Sequence, residues 1–263
     1  MPLAAHKVKD LPKALSLKKL IGPSFIILGL GLGSGEVVLW PYLTSKFGMG
    51  IIWGAILGLT FQFFMNMEIE RYALVRGESV FVGFARKVGW LPLWFLFSTF
   101  LPWIWPGIAA ASAKLIGSLF GIQETQYLAI GMLILMGAIL SLGPVLYKTV
   151  ERFQKLLIGV GVPSVFLLTI FLARQHHWVD LANGLMGKGP DYWLLPAGIP
   201  IASFLAALAY AGAGGNLNLA QSFYVKAKGY GMGKYAGRIT SLLTGKKEEV
   251  SLTGAKFECT EEN

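Results

Sequence analysis

Charge is what this sequence has least of. Of its 263 residues, 14% are Asp, Glu, Lys or Arg, whereas a water-soluble domain carries roughly 25%. That leaves too little polar surface to meet water on every side. Acids are the scarcer sign, with 14 Asp and Glu against 23 Lys and Arg. The single cysteine, Cys259, lies in a polar tail, which excludes a disulfide framework and a thiolate metal cluster. No catalytic triad or phosphate-binding loop is present, so neither an enzyme nor a resident cofactor has support. The basic N-terminal stretch does not read as a signal peptide, since the apolar run behind it is too long and shows no small-residue cleavage site.

Apolar residues are abundant, at 54% of the chain. A helix needs about 20 mostly apolar residues to cross the hydrocarbon of a bilayer. Six segments meet or approach that length: 21–43, 49–67, 90–113, 127–147, 156–173 and 193–225. The expectation is an all-α integral membrane protein with a basic segment over 1–20, a six-helix transmembrane domain over 21–225, and a polar loop or tail over 226–263. Six crossings put both termini on one side, which holds 19 of the basic residues against 4 on the other. The positive-inside rule makes that side cytoplasmic. The formal charge of +9 is therefore a topology signal and not a nucleic-acid footprint. Trp90, Tyr127, Tyr147, Trp178, Tyr192 and Trp193 fall near predicted ends, as an interfacial belt requires. Residues 7–19 suit either a short helix on the anionic leaflet or a disordered basic tail. Compact loops suggest a prokaryotic inner membrane.

Two segments look interrupted. In "IILGLGLGSGEVVLW" four glycines alternate at 29, 31, 33 and 35, and Glu36 is the only charged side chain between 21 and 43. A charge at the bilayer centre costs about 2.5–3.5 kcal/mol on the lenient insertion scale, so it marks a cavity or a partner. "LAYAGAGGNLNLAQSF" has Gly212, Gly214 and Gly215 in mid-span, then Asn216, Asn218 and Gln221. Non-helical backbone at membrane depth persists only where protein buries it or where it lines a water-filled cavity. Paired glycine-interrupted spans point to a transporter site. Glycine faces for close helix packing are the competing reading. In the third span, Pro102 and Pro106 predict a kink.

The stretch "GPSFIILGLGLGSGEVVLWPYLTSKFG" resembles, without a gap, the first helix of the natural resistance-associated macrophage protein (Nramp) divalent metal transporters. In that family the helix opens with Gly-Pro, breaks at a D-P-G-N motif and ends near a K-F-G turn. "FQFFMNMEIERYALVRGES" resembles the second helix, and "AGAGGNLNLAQS" the sixth-helix region, whose pattern is M-P-H-N. The resemblance implies the LeuT-like fold of two inverted five-helix repeats, with helices 1 and 6 broken. It also implies metal ligands at positions that here are Gly33, Glu36 and Ala213. Only the glycine of D-P-G-N is kept, as Gly35. Gly215 replaces the histidine linked with proton movement, and Asn216 matches the asparagine after it. The soft methionine ligand is thus lost, and a carboxylate among carbonyls and amides suits a harder ion.

Three roles are open to Glu36: metal ligand, proton carrier, or partner of a basic residue on another helix. Gln62 and Asn66, one turn apart, are pathway candidates or helix–helix hydrogen bonders, and Asn218 is a further pathway candidate. Glu68, Glu70 and Arg71 read as an exposed cluster or gate-side ion pairs. His176, His177 and Asp180 fall in a predicted outer loop. Such a fold needs at least ten helices, so the chain reads as a fragment or one gene of a split pair, with the missing half as partner. An intact six-helix protein is the competitor. The function expected is alternating-access transport of an inorganic cation, a divalent metal ion as the resemblance implies, with proton coupling left open. The alternatives are a non-transporting membrane subunit or receptor, or a carrier of a small organic or amino-acid substrate.

Overall fold

The computed structural model describes residues 4–16, 28–29, 31–32, 35–142, 146–212, 214–237 and 251–260. They are mostly helical. In chain order come β1 (Lys7–Val8), a π-helical turn (Gly35–Leu39), α1 (Trp40–Phe47), a 3-10 turn (Met49–Ile51), α2 (Trp53–Arg76), α3 (Val80–Lys87) and α4 (Leu91–Ile104). There follow α5 (Gly107–Phe120), α6 (Thr125–Leu142), α7 (Leu146–Leu172), α8 (Gln175–Leu185), α9 (Ile201–Ala209), α10 (Asn216–Lys228), a 3-10 turn (Gly231–Tyr235) and β2 (Ala255–Lys256).

Among the described residues three helical stretches are long and apolar enough to cross a membrane: Met49–Arg76, Leu91–Phe120 and Lys148–Leu172. Thr125–Ser141 is apolar but shorter. Trp105, Leu119 and Phe171 expose 81%, 80% and 85% of their surface. Such side chains need lipid or protein around them rather than water.

Helices outlast the hydropathy that announced them. α2 continues to Arg76 rather than stopping at 67, because polar side chains do not interrupt a backbone hydrogen-bond ladder. It ends where Gly77 takes φ 62°, and its N–H returns to the Ala73 carbonyl (2.9 Å), a left-handed helix cap. α7 begins ten residues before the expected 156 for the same reason, its first turns carrying Lys148, Glu151, Arg152 and Lys155. The third span is two helices, α4 and α5, with Pro102 inside the first and Pro106 capping the second. The expected outer loop around His176 is helical instead. Arg174 and His177 cap α8, the Arg174 N–H donating to His177 Nδ1 (3.0 Å).

Two compact units make up the chain: one from Met1–Ala14, Tyr72–Arg152 and Phe223–Asn263, the other from Leu15–Arg71 and Phe153–Ser222. In the second, Trp40, Leu43, Ile51, Ile199, Phe204 and Ala207 form the core. Its aromatic polar groups reach backbone: Trp40 Nε1 donates to the Ala207 carbonyl (3.1 Å) and Tyr192 Oη to that of Phe47 (2.7 Å). Glycine lets α2 approach α9. A Cβ on Gly58 would stand 2.3 Å from the Leu208 carbonyl oxygen and 2.8 Å from Ala211 Cβ. Gly58→Ala is expected to destabilise by about 1–3 kcal/mol. Gly159→Ala, where a Cβ meets nothing within 4 Å, is the control in a thermal melt.

In the first unit, α5 and α6 form a hairpin turning at Gly121 (φ 69°). Phe81 meets Phe95 edge-on and stacks on Phe223. β1 pairs parallel with β2, Lys7 opposite Ala255 and Val8 opposite Lys256.

Candidate functional site

The sixth segment is two helices. α9 stops at Ala209 and α10 starts at Asn216. In the gap Gly212, Gly214 and Gly215 take φ of 108°, 64° and 58°, a region that costs any side chain with a Cβ. Helix ends leave backbone groups unpaired, and at this gap two polar side chains meet them. Gln62 spans the gap. Its Nε2 donates to the Ala209 carbonyl (2.7 Å), while its Oε1 accepts from Gly214 N–H and Asn218 Nδ2, both at 3.1 Å. Glu36 is the other: its Oε1 accepts from Gly212 N–H.

Glu36 is brought there by the π-helical turn that Gly35 opens and that feeds α1. Single π turns recur at functional sites because the extra residue re-aims a side chain. The carboxylate is partly buried. The chain therefore presents its own anion to an amide freed by a broken helix. Of the other expected site residues, Gly33 and Ala213 lie outside the described residues. Gly215 has open space where a Cβ would stand, Asn216 is the first residue of α10, and Asn218 is buried against Gln62.

Below Gln62 on the same face of α2 come Asn66 and Glu70, at successive intervals of four residues. Gln221 Nε2 donates to Glu70 Oε1. The Glu68/Glu70/Arg71 group thus separates: Glu68 pairs with Arg71 on the exposed side (Nε–Oε2 3.0 Å), and Glu70 faces α10. Sequence reading missed the Glu70–Gln221 pair; the spacing 62, 66, 70 was the signal that could have found it.

A second cluster, also unforeseen, lies in the other unit. Glu78 is fully buried. Its carboxylate accepts from Tyr72 Oη (2.7 Å), Arg86 Nε and Nη2 (both 3.1 Å) and Gly254 N–H (3.0 Å), with His6 Nε2 at 3.1 Å. Burial opposes its ionisation, but Arg86 and the other donors prevail and hold its pKa down at about 2. Nearby, Lys226 Nζ donates to the Ser251 carbonyl (2.7 Å).

Among the described residues no group of three His, Cys, Asp or Glu side chains could hold a metal. His177 already spends its Nδ1 on the Arg174 amide. What the described residues offer a cation at these helices is few carboxylates plus carbonyl and amide oxygens, a donor set for hard ions. Comparison with protein-family models, curated proteins and solved structures finds no match.

Proposed function

We propose that this chain takes part in secondary active transport of a cation, a divalent metal ion, across a cell membrane by alternating access. The scaffold proposed is the LeuT-like one, with six spans in this chain and pivots at the interrupted first and sixth. The observation that carries the reading is the Glu36 carboxylate seated on Gly212 N–H inside a glycine gap. An unwound segment offers carbonyls and amides to an ion, and a carboxylate beside it supplies charge. The resemblance of 22–48 to the first Nramp helix supports the same reading, with Glu36 as a displaced ligand. Lacking the soft methionine, such a site favours Mg²⁺ or another hard ion over transition metals. An organic substrate's carboxylate would compete with Glu36 for the same amide, which weighs against that class.

The test is uptake of Mg²⁺, Mn²⁺ and Ca²⁺ by the full reading frame in proteoliposomes, with and without a proton gradient. Glu36→Gln should cut saturable uptake by at least about tenfold, what losing one charge-assisted interaction costs. A folded wild type that moves none of these ions, or a Glu36→Gln protein that moves them equally well, would sink the proposal.

A further inference from the structure

We infer a second ion site, distinct from the Glu36 gap, in which Glu70 of α2 with the amide oxygens of Asn66, Asn218 and Gln221 binds a small monovalent cation of the Na⁺ class.

Three amide oxygens, Asn66 Oδ1, Asn218 Oδ1 and Gln221 Oε1, are buried with no hydrogen-bond partner. Asn218 and Gln221 are each only 1% exposed. Buried polar atoms are nearly always satisfied, so three orphans carried by one pair of helices, α2 and α10, need an occupant.

Amide orientations here are forced rather than free. Gln62 must turn its NH₂ to the Ala209 carbonyl and its oxygen to Gly214 N–H. With that oxygen fixed as an acceptor, Asn218 must offer its NH₂ to it, which leaves Asn218 Oδ1 over. Glu70, as a carboxylate, only accepts, so Gln221 must likewise offer its NH₂ and keep its oxygen unpaired. Flipping either amide would set acceptor against acceptor. The polarity of the gap therefore propagates along α10 and leaves oxygens, not N–H groups, buried and unpaired. Asn66 adds a third oxygen, one turn from both Gln62 and Glu70.

The charge is equally unbalanced. Among the described residues Glu70 is joined by no Lys, Arg or His: Arg71 is taken by Glu68, and Glu70's partner is the neutral Gln221. A partly buried carboxylate without a counter-charge is costly, and a single positive charge would neutralise it. One carboxylate and three neutral oxygens make a hard-donor set. Mg²⁺ dehydrates reluctantly and keeps several waters, for which side chains as enclosed as Asn218 and Gln221 leave no place. Na⁺ sheds its shell more readily and needs only one negative charge.

The test is thermal melting of the purified chain in nanodiscs, titrated with NaCl, KCl or MgCl₂ against choline chloride at constant ionic strength. Saturable stabilisation by Na⁺, absent with choline and not reproduced by Mg²⁺, is the expected result. Glu70→Gln should raise the half-saturating Na⁺ concentration at least tenfold, while Glu68→Gln should leave it unchanged. If Glu70→Gln does not fold, Asn66→Ala, which breaks no hydrogen bond, should raise it at least threefold. Equal stabilisation by choline, by Mg²⁺, or in folded Glu70→Gln protein would overturn the assignment. None of these readouts involves flux, so the site stands or falls separately from the transport proposal.

Discussion

Glu78→Ala should destabilise the chain by about 3–5 kcal/mol, the usual cost of removing one partner from a buried ion pair. The substitution would strand the Arg86 guanidinium, the Tyr72 hydroxyl and the Gly254 N–H, all now directed at one fully buried carboxylate. It would also release His6, whose imidazole is 3.1 Å away. Limited trypsin digestion gives the readout, since cleavage at Lys7 and Lys9 should accelerate when the arm carrying His6 lets go. The same group sets an acid limit. Its folded pKa, about 2, lies below the ordinary 4.5, so its stabilisation is complete above 4.5 and fades as pH falls towards 2. Holding the carboxyl that far down corresponds to about 3 kcal/mol. Melting curves from pH 7 to pH 3 should fall steeply for wild type and flatten for Glu78→Gln. A Glu78→Gln protein that loses stability just as steeply would assign the acid limit to other groups.

Gln62→Leu is the second large effect. Leucine keeps the bulk but abandons three polar groups at once: the Ala209 carbonyl, the Gly214 N–H and the Asn218 amide. An unsatisfied buried group costs about 1–3 kcal/mol, so a total of about 3–5 kcal/mol is expected. Asn66→Leu on the same face offers the contrast. Its oxygen has no partner to abandon, so in sodium-free medium the melting point should hold or rise. If Gln62→Leu melts like Asn66→Leu, Gln62 is not what ties α9 to α10.

What was legible in the sequence followed from glycine and hydropathy. Gly212, Gly214 and Gly215 announced irregular backbone because glycine takes the φ values they adopt without the steric cost that a Cβ brings. Apolar runs found α2, α4–α5 and α7, though not their ends, since Glu68 and Lys148 lower hydropathy without breaking a helix. "RQHHWVDLANGL" read as a loop for that same reason, yet it is α8. Glu36 stood out by being charged in an apolar run, but its partner, Gly212, lies 176 residues away. Glu78 gave no signal at all. "RGES" reads as an ordinary polar turn, and the donors that make it otherwise come from Ala5's neighbour His6, from Arg86 and from Gly254. Local patterns reveal periodicity and exceptions to it; they do not reveal which distant backbone amide a carboxylate will meet.

The pairing of Lys7 with Ala255 also imposes a wait during synthesis. The arm leaves the ribosome well before its strand partner, which emerges roughly 250 residues later, on the order of tens of seconds at ordinary translation rates. Through that interval Glu78 lacks the Gly254 amide, and residues 4–8 have no strand to join. The helices between must form while this segment waits, so a premature stop anywhere before 254 would yield a chain with an unclosed Glu78 cluster.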